Sequence, residues 1–463
     1  EGGVPALQDI SMRVAPGRYT VESDRPYVFA GTSYGWTQAV TVAGSGDAAL
    51  ALTSANAEVT AAADAPAGPV SRREMPGDLQ DRWERSVVAL WTPTRHAAGA
   101  VVDARGLVVT SQQVIGEATS IEVQLSPTLK VAGRPLLADS TSDVAVLWID
   151  PGAAAAIPMA PLDCAAPPAL SNGQEIAVIG VATGRPARTA WGKVSRVNAR
   201  QMVADVGLDE DAVGGPAFAT SGALVGISSF IGAKEGDRQD DTRIVRADAV
   251  CEVVAAARAK MAGATPPSAA PLPVEPAVVI DPEELERAAK GRAGSLTPYT
   301  AASAGFDVTF LTPVHLHAAP RSMDFGNWSD YVTGTSPVLL VRATPKLSEA
   351  LWATVARGVA RVQGMKLPPI VRFKSGVGRV RALCDGREVV PIHPFLIEHR
   401  TSPTEAVHEG LSVFAADALG PHCQAVRIEI TSDASPAATE TAIVDPAVVQ
   451  QLWQDLAPWR TPK

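Results

Sequence analysis

Residues 211–216 read Asp-Ala-Val-Gly-Gly-Pro, and the Gly214-Gly215-Pro216 step limits the fold more than any other segment. Two successive glycines accept backbone conformations and close approaches that a β-carbon forbids. The proline after them lacks an N–H and fits neither a helix interior nor a central sheet ladder. The step is therefore a tight turn, and it leads through Ala217-Phe218 to Leu224-Val225-Gly226-Ile227. Upstream, Ser86 to Leu90, Ala97 to Asp103, Gly106 to Thr110, Ser142 to Leu147 and Gly173 to Gly180 are further short, largely apolar runs. They read as strands.

The order of these runs resembles the trypsin-like serine proteases of the HtrA/Deg type, over about residues 84 to 262. Residues 211–216 are similar to that family's Gly-Asn-Ser-Gly-Gly-Pro turn, and Ala97 to Thr110 to its Gly-Ser-Gly-Phe-Val-Val-Asp hairpin and the strand after it. In the family that strand runs into Thr-Asn-Ala-His-Val. Here it reads Thr110-Ser111-Gln112-Gln113-Val114, so Gln113 holds the place of the histidine base. Ser142-Asp143-Val144-Ala145-Val146-Leu147 is similar to Thr-Asp-Leu-Ala-Val-Leu and keeps the acid as Asp143, while Val213 holds the place of the serine nucleophile. Asp211 stands where the family has an oxyanion-hole glycine. Ser111, Ser142 and His96 are the nearest hydroxyls and imidazole, and none occupies a matching position.

What these replacements remove is specific. A serine hydroxyl attacks only when an imidazole takes its proton, and the aspartate orients and stabilises that imidazole. The Gln113 amide accepts no proton near neutral pH, and valine has nothing to attack with. Asp211 adds negative charge where an oxyanion would develop. The resemblance thus implies a double β-barrel whose catalytic positions are degenerate, with no catalytic residue, no cofactor and no resident metal.

At 463 residues the chain exceeds one core and implies about three domains. A net charge of −9 argues against nucleic acid as partner. No apolar run approaches the roughly 20 residues that a membrane helix needs. The sequence starts at Glu1, so an anchor or signal ahead of it is compatible with export. Arginine outnumbers lysine 31 to 9, a bias of GC-rich bacterial coding. Four cysteines divide two and two: Cys164 and Cys251 in the protease-like segment, Cys384 and Cys423 beyond it. One disulfide within each domain is expected, which suits the oxidising space where envelope members of the family reside; the alternative is four buried thiols. No Cys-x-x-Cys occurs.

Five segments follow. Residues 1–66 read as a small β-sandwich, with runs from Asp9, Arg18, Tyr27, Ala39 and Ala48 broken by turns. Residues 67–83 are a linker and helix, 84–262 the protease-like double barrel, 263–280 a Pro/Ala-rich linker, and 281–463 an α+β domain of unrecognised family. The whole is mainly β. In the last segment a helix is expected from Ser348 to Gly364, and Asp385-Gly386 signals a hairpin. His315 and His317 would share one strand face, a spacing that chelates metals. Arg372, Lys374, Arg379, Arg381 and Arg387 make a basic hairpin in an acidic chain, either a solvated face or a contact for an acidic partner. The function these features imply is a catalytically inactive scaffold subunit of a bacterial envelope assembly, periplasmic or extracellular, binding other envelope proteins. The alternatives are an enzyme or metal-binding protein sited in the last domain, and a peptide-binding regulator of an active protease.

Overall fold

The structure is a computed structural model. It describes residues 15–22, 27–29, 32–44, 49–51, 57–61, 77–119, 121–181, 187–207, 212–229, 242–276, 280–290, 298–318, 324–332, 336–349, 371–373, 375–402 and 405–460. The chain divides into two compact units, Glu1–Glu74 and Met75–Lys463. In the first, β1 (Gly17–Glu22) pairs antiparallel with β4 (Thr37–Val42). A second sheet holds β2 (Tyr27–Phe29), β3 (Thr32–Gly35) and β5 (Glu58–Ala61), in the order β2-β3-β5. The runs from Arg18, Tyr27 and Ala39 lie on these strands. That from Asp9 falls outside the described residues, and residues 49–51 carry no regular structure.

The second unit opens with helix α1 (Gly77–Glu84), whose Trp83 stacks on Phe218 at 4.5 Å. Two closed six-stranded barrels follow. The first holds β6 (Val87–Trp91), β7 (His96–Asp103), β8 (Leu107–Thr110), β9 (Ile121–Ser126), β10 (Leu129–Asp139) and β11 (Val144–Trp148). The second holds β12 (Glu175–Val181), β13 (Ala187–Val197), β14 (Gln201–Ala204), β15 (Pro216–Ala219), β16 (Leu224–Ser229) and β17 (Thr242–Arg246). Helix α4 (Ala247–Lys260) closes it, after the single-turn helices α2 (Gln112–Ile115) and α3 (Pro151–Ala154) in the first barrel.

The continuous apolar runs have a period-two explanation: both faces of the first barrel's strands are covered. Along β6, Val88 and Leu90 fill the barrel with Val101, Val108, Val123 and Leu147. Val87 faces the layer that holds Phe218, Ile227 and the α4 residues Val250 and Val254. Ala89 and Trp91 face a third cluster that belongs mostly to the C-terminal region. The Cys164–Cys251 disulfide ties the connector between the barrels to α4. Closing a sequence separation of 87 residues stabilises by about 4–5 kcal/mol on the chain-entropy model.

The C-terminal region is two antiparallel sheets with helices. One sheet runs β18 (Tyr299–Ala302), β19 (Phe306–Leu311), β20 (Val338–Pro345), β26 (Glu405–Ala415), β25 (His393–Ser402). The other runs β24 (Arg387–Val389), β23 (Val377–Cys384), β27 (Val426–Ser432), β28 (Thr439–Ile443). Phe306, Phe310, Val341 and Phe414 of the first meet Ala382, Ile428 and Ile430 of the second, with Leu452 of the helix Pro446–Asp455. The opposite face of the five-stranded sheet, through Leu340, Phe395 and Leu411, packs on Ala89 and Trp91 of the first barrel. Barrel and sheet therefore share one apolar cluster.

Local signals in this region held unevenly. Asp385 and Gly386 both have positive φ, +53° and +81°, as a two-residue hairpin between twisted strands requires. Cys384 and Cys423 form the second disulfide. The expected helix from Ser348 is corrected at its start: Ser348 lies in β21 (Leu347–Glu349), paired with β22 (Val371–Phe373), and residues 350–370 lie outside the described residues. The Pro-rich linker is not a free spacer. Leu272 N–H donates to the Lys130 carbonyl at 2.8 Å, and the Arg134 guanidinium donates to the Thr265 carbonyl at 3.0 Å, so the segment lies along β10.

Candidate functional site

The turn before β15 sits between the barrels, and packing dictates its glycines. Gly214 has φ +81°, and a β-carbon there would lie 2.1 Å from Thr110 Oγ1 and 2.5 Å from the Ala98 carbonyl oxygen. At Gly215 it would lie 2.1 Å from the Ile179 carbonyl oxygen. Both positions demand glycine whatever stands at 213. Gly214 N–H donates to Ser228 O at 2.9 Å, and Ser228 N–H returns to Gly215 O at 2.8 Å. Val213 is buried in the same apolar cluster as Val114 and Ile115, and its carbonyl accepts from Ala98 N–H at 3.0 Å. Its side chain serves as core. Asp211 lies outside the described residues.

Asp143 is buried with φ +53°, a conformation that aspartate tolerates better than most side chains. Its carboxylate is met from three sides. Ser111 Oγ lies 2.8 Å from each carboxylate oxygen, the Gln113 backbone N–H donates to Oδ1 at 3.0 Å, and the Ser229 hydroxyl donates to Oδ2 at 2.5 Å. Ser111 is also the N-cap of α2, its Oγ accepting from the Gln113 N–H. Cap, acid and second-barrel hydroxyl thus form one network of neutral donors around the buried Asp143 side chain. The Gln113 residue is exposed, so position 113 contributes its backbone to this network. Ser142 donates instead to Asp139 Oδ2 at 2.5 Å, and the His96 ring lies against Trp91 at 4.0 Å. The arrangement holds a carboxylate in place and presents it with hydroxyls.

Residues 97–227 match the family model of the trypsin-like peptidase domain. Over that segment the chain is homologous to trypsin-like proteases. The crystal structure of the serine endoprotease from Yersinia pestis is similar to 40% of this chain and 68% of its own, at 21% identity and a TM-score of 0.35. No curated protein matches the chain.

Outside the trypsin-like domain, the proposed ligand pair separates. His315 and His317 lie on the short helix Pro313–Ala318, not on a strand, because Pro313 begins a helical turn directly after β19. Two residues apart on a helix they point about 200° from each other. His315 is buried, with Nδ1 2.9 Å from Thr312 Oγ1, whereas His317 is exposed. Among the described residues, the group with metal-compatible spacing is Cys384, His422 and Cys423.

The basic residues also divide. Arg379 and Arg381 lie on β23 and Arg387 on β24, while Arg372 belongs to the separate β21–β22 pair and Lys374 lies outside the described residues. Arg379 binds Glu388 at 3.0 Å, and Arg381 binds Glu388 at 2.9 Å and Glu429 at 3.2 Å. The positive charge of that hairpin is largely paired on its own sheet.

The cluster that sequence reasoning missed lies where trypsin-like domain, linker and C-terminal sheet meet. Lys130 has 0% side-chain exposure, as does His393. Lys130 Nζ reaches Glu122 Oε2 at 3.0 Å, the Ile392 carbonyl, and His393 Nδ1 at 3.3 Å. His393 sits between two carboxylates, Nδ1 2.7 Å from Glu122 and Nε2 2.6 Å from Glu275 of the linker. The Tyr331 hydroxyl donates to Glu275 at 3.0 Å, and the Trp91 and Phe395 rings flank the imidazole at 4.1 and 5.0 Å. Burial pushes the Glu275 carboxyl up, but the hydrogen bond and charge of His393, its own backbone N–H and Lys130 outweigh it and bring the group down to about 2. Burial lowers Lys130, with Glu122 and Glu275 opposing, and burial pushes the Tyr331 phenol well above its ordinary value. The one sequence signal was the occurrence of isolated charges, Glu122 and Lys130, inside strand-like apolar runs.

Proposed function

We propose that the trypsin-like domain is a pseudoprotease, retained as a binding and scaffold module in an exported bacterial envelope protein. The observation that carries this reading is the pairing of two features: Val213 serves as core, and Asp143 is surrounded by hydroxyl and amide donors where an imidazole would need it. Without a base, no hydroxyl in the turn is activated, and without a nucleophile the Gly-Gly-Pro geometry has only a structural task. Two disulfides, one in each half of the second unit, support a location outside the cytoplasm. Among the described residues no helix is long and apolar enough to cross a membrane. The apolar cluster shared by β6 and the five-stranded sheet supports a composite surface built from both domains, suited to docking other envelope proteins. An enzyme using His315 and His317 loses its ligand pair with their placement on the helix Pro313–Ala318.

Two measurements test the reading. Incubation with an unstructured protein substrate should give no cleavage above a blank. Gentle extraction of native envelopes, followed by size separation and mass spectrometry, should find the chain in constant ratio to a fixed set of envelope proteins. Turnover that survives purification contradicts the first half, and a chain that always migrates alone contradicts the second.

A further inference from the structure

The two disulfides differ in their surroundings. Near Cys164 and Cys251, no third metal-ligating side chain is placed within reach among the described residues. At Cys384–Cys423, the His422 ring nitrogen and both sulfurs all lie within 4.8 Å of one another. A tetrahedral zinc ion with bonds of about 2.0–2.3 Å spaces such ligand atoms about 3.3–3.8 Å apart, so small side-chain rotations reach that geometry. Cys423 is buried, Cys384 is half-buried and His422 is exposed, which puts one side of the group at the surface. His422 also leans edgewise on Trp453 at 5.6 Å, and that ring belongs to the C-terminal helix.

The elements that present these residues are held independently of the disulfide. Cys384 ends β23, which pairs with β27 over seven registered positions. Cys423 N–H donates to Gly420 O at 2.9 Å, and Asp385 Oδ1 accepts Ala425 N–H at 2.8 Å across the same corner. Val426, Ile428, Ala382 and Leu452 close the core beneath.

We infer that this corner is a redox-gated site for a thiophilic divalent cation, zinc by its donor set: two thiolates and one imidazole, with a fourth position open to solvent or to a partner's ligand. In the oxidised form the two sulfurs bond to each other and hold no metal. A dithiol reductant supplies two electrons and two protons, becomes a disulfide itself, and leaves Cys384 and Cys423 as thiols. Zinc then displaces both thiol protons to solvent and takes His422 through its neutral ring nitrogen. The sequence hid the set because Cys384 lies 39 residues before Cys423.

Cobalt(II) serves as the spectroscopic probe, added to the full chain before and after treatment with a phosphine reductant, which does not compete for metal as a dithiol does. The reduced chain should bind one equivalent with a thiolate-to-cobalt charge-transfer band and tetrahedral visible bands. Zinc should bleach both, and the untreated chain should show neither. Replacing both Cys164 and Cys251 by Ala should leave the bands intact, replacing both Cys384 and Cys423 by Ala should abolish them, and His422→Ala should weaken binding at least tenfold. Since His422 is exposed, its variant folds normally and keeps the test decisive. The proposal is overturned by a reduced chain without bands, by bands that survive loss of Cys384 and Cys423, by unchanged affinity in His422→Ala, or by near-ultraviolet dichroism showing that reduction unfolds the C-terminal sheets.

Discussion

Two carboxylate sites, one buried and one half-buried, sit in the same unit and are solved by opposite chemistry. Asp143 is satisfied by neutral donors from one domain: two hydroxyls and a backbone N–H. Glu122 and Glu275 are satisfied by an ammonium, an imidazole and a phenol drawn from three segments: Lys130 of β10, His393 of β25 and Tyr331. The first arrangement braces the turn at the start of α2 against the second barrel. The second couples barrel, linker and C-terminal sheet, so that removing Lys130 or His393 leaves a carboxylate without its partner. The difference teaches where the molecule is fragile: at the seam, away from the Gly214-Gly215-Pro216 turn.

The strongest way to break that comparison is to strand a charge. His393→Ala or Lys130→Ala should cost about 3–5 kcal/mol in denaturant unfolding, the usual cost of breaking a buried ion pair. Replacing Glu122, Lys130, Glu275 and His393 together by apolar residues of similar size should cost far less, because no orphan charge remains. If single and fourfold variants melt alike, the seam is held by Trp91 and Phe395 alone.

Next comes acid. Glu275 is held near 2 in the folded chain and lies near 4.5 when exposed. Its contribution is therefore full above about pH 5 and is lost as pH falls toward 2, roughly 3 kcal/mol in all at 1.36 kcal/mol per unit. Glu275→Gln should lower stability by about that amount above pH 5 and flatten the stability–pH curve between pH 5 and 2, so that variant and wild type converge toward pH 2. Asp103 adds a parallel acid loss. The hydrogen bond from Arg105 chiefly lowers it, against burial and with the charges of Arg105 and Arg258 helping, and it too sits at about 2.

Asp143→Asn should cost less, about 1–3 kcal/mol, since asparagine accepts the positive φ but loses one acceptor oxygen. A cost equal to that of His393→Ala would erase the distinction between the sites.

How much of this was legible in the sequence follows from the range of each interaction. The barrel strands were readable because runs such as Val87–Trp91 and Val144–Trp148 are apolar on both faces. The Gly214-Gly215-Pro216 turn was readable because backbone crowding fixes it. Asp143 could be placed, but its hydroxyl partners Ser111 and Ser229 lie 32 and 86 positions away and leave no local pattern. The seam was invisible for the same reason, with His393 and Glu122 separated by 271 residues. His315 and His317 misled because a period of two suits a strand, and the proline at 313 carried the opposing signal.

The smallest expected effect is at the paired arginines. Arg379→Ala should change stability by about 0.2–1 kcal/mol or less, as exposed pairs do. Reversing Arg379 and Arg381 to Glu leaves Glu388 and Glu429 facing like charges. If proteins captured from native envelopes by the wild-type chain are lost by that variant while its melt moves little, the hairpin is the contact; if capture persists at raised salt, the interface lies elsewhere.

The proposed loss of catalysis requires that no nucleophile between the barrels is activated. Treating the folded wild-type chain with a fluorophosphonate probe, followed by peptide mapping of residues 84 to 262, tests it directly. No serine in that span should be labelled, including Ser111, Ser142 and Ser229, and Val213→Ser alone should stay unlabelled because Gln113 supplies no base. Stoichiometric labelling of any one of these serines in the wild-type chain would contradict the account.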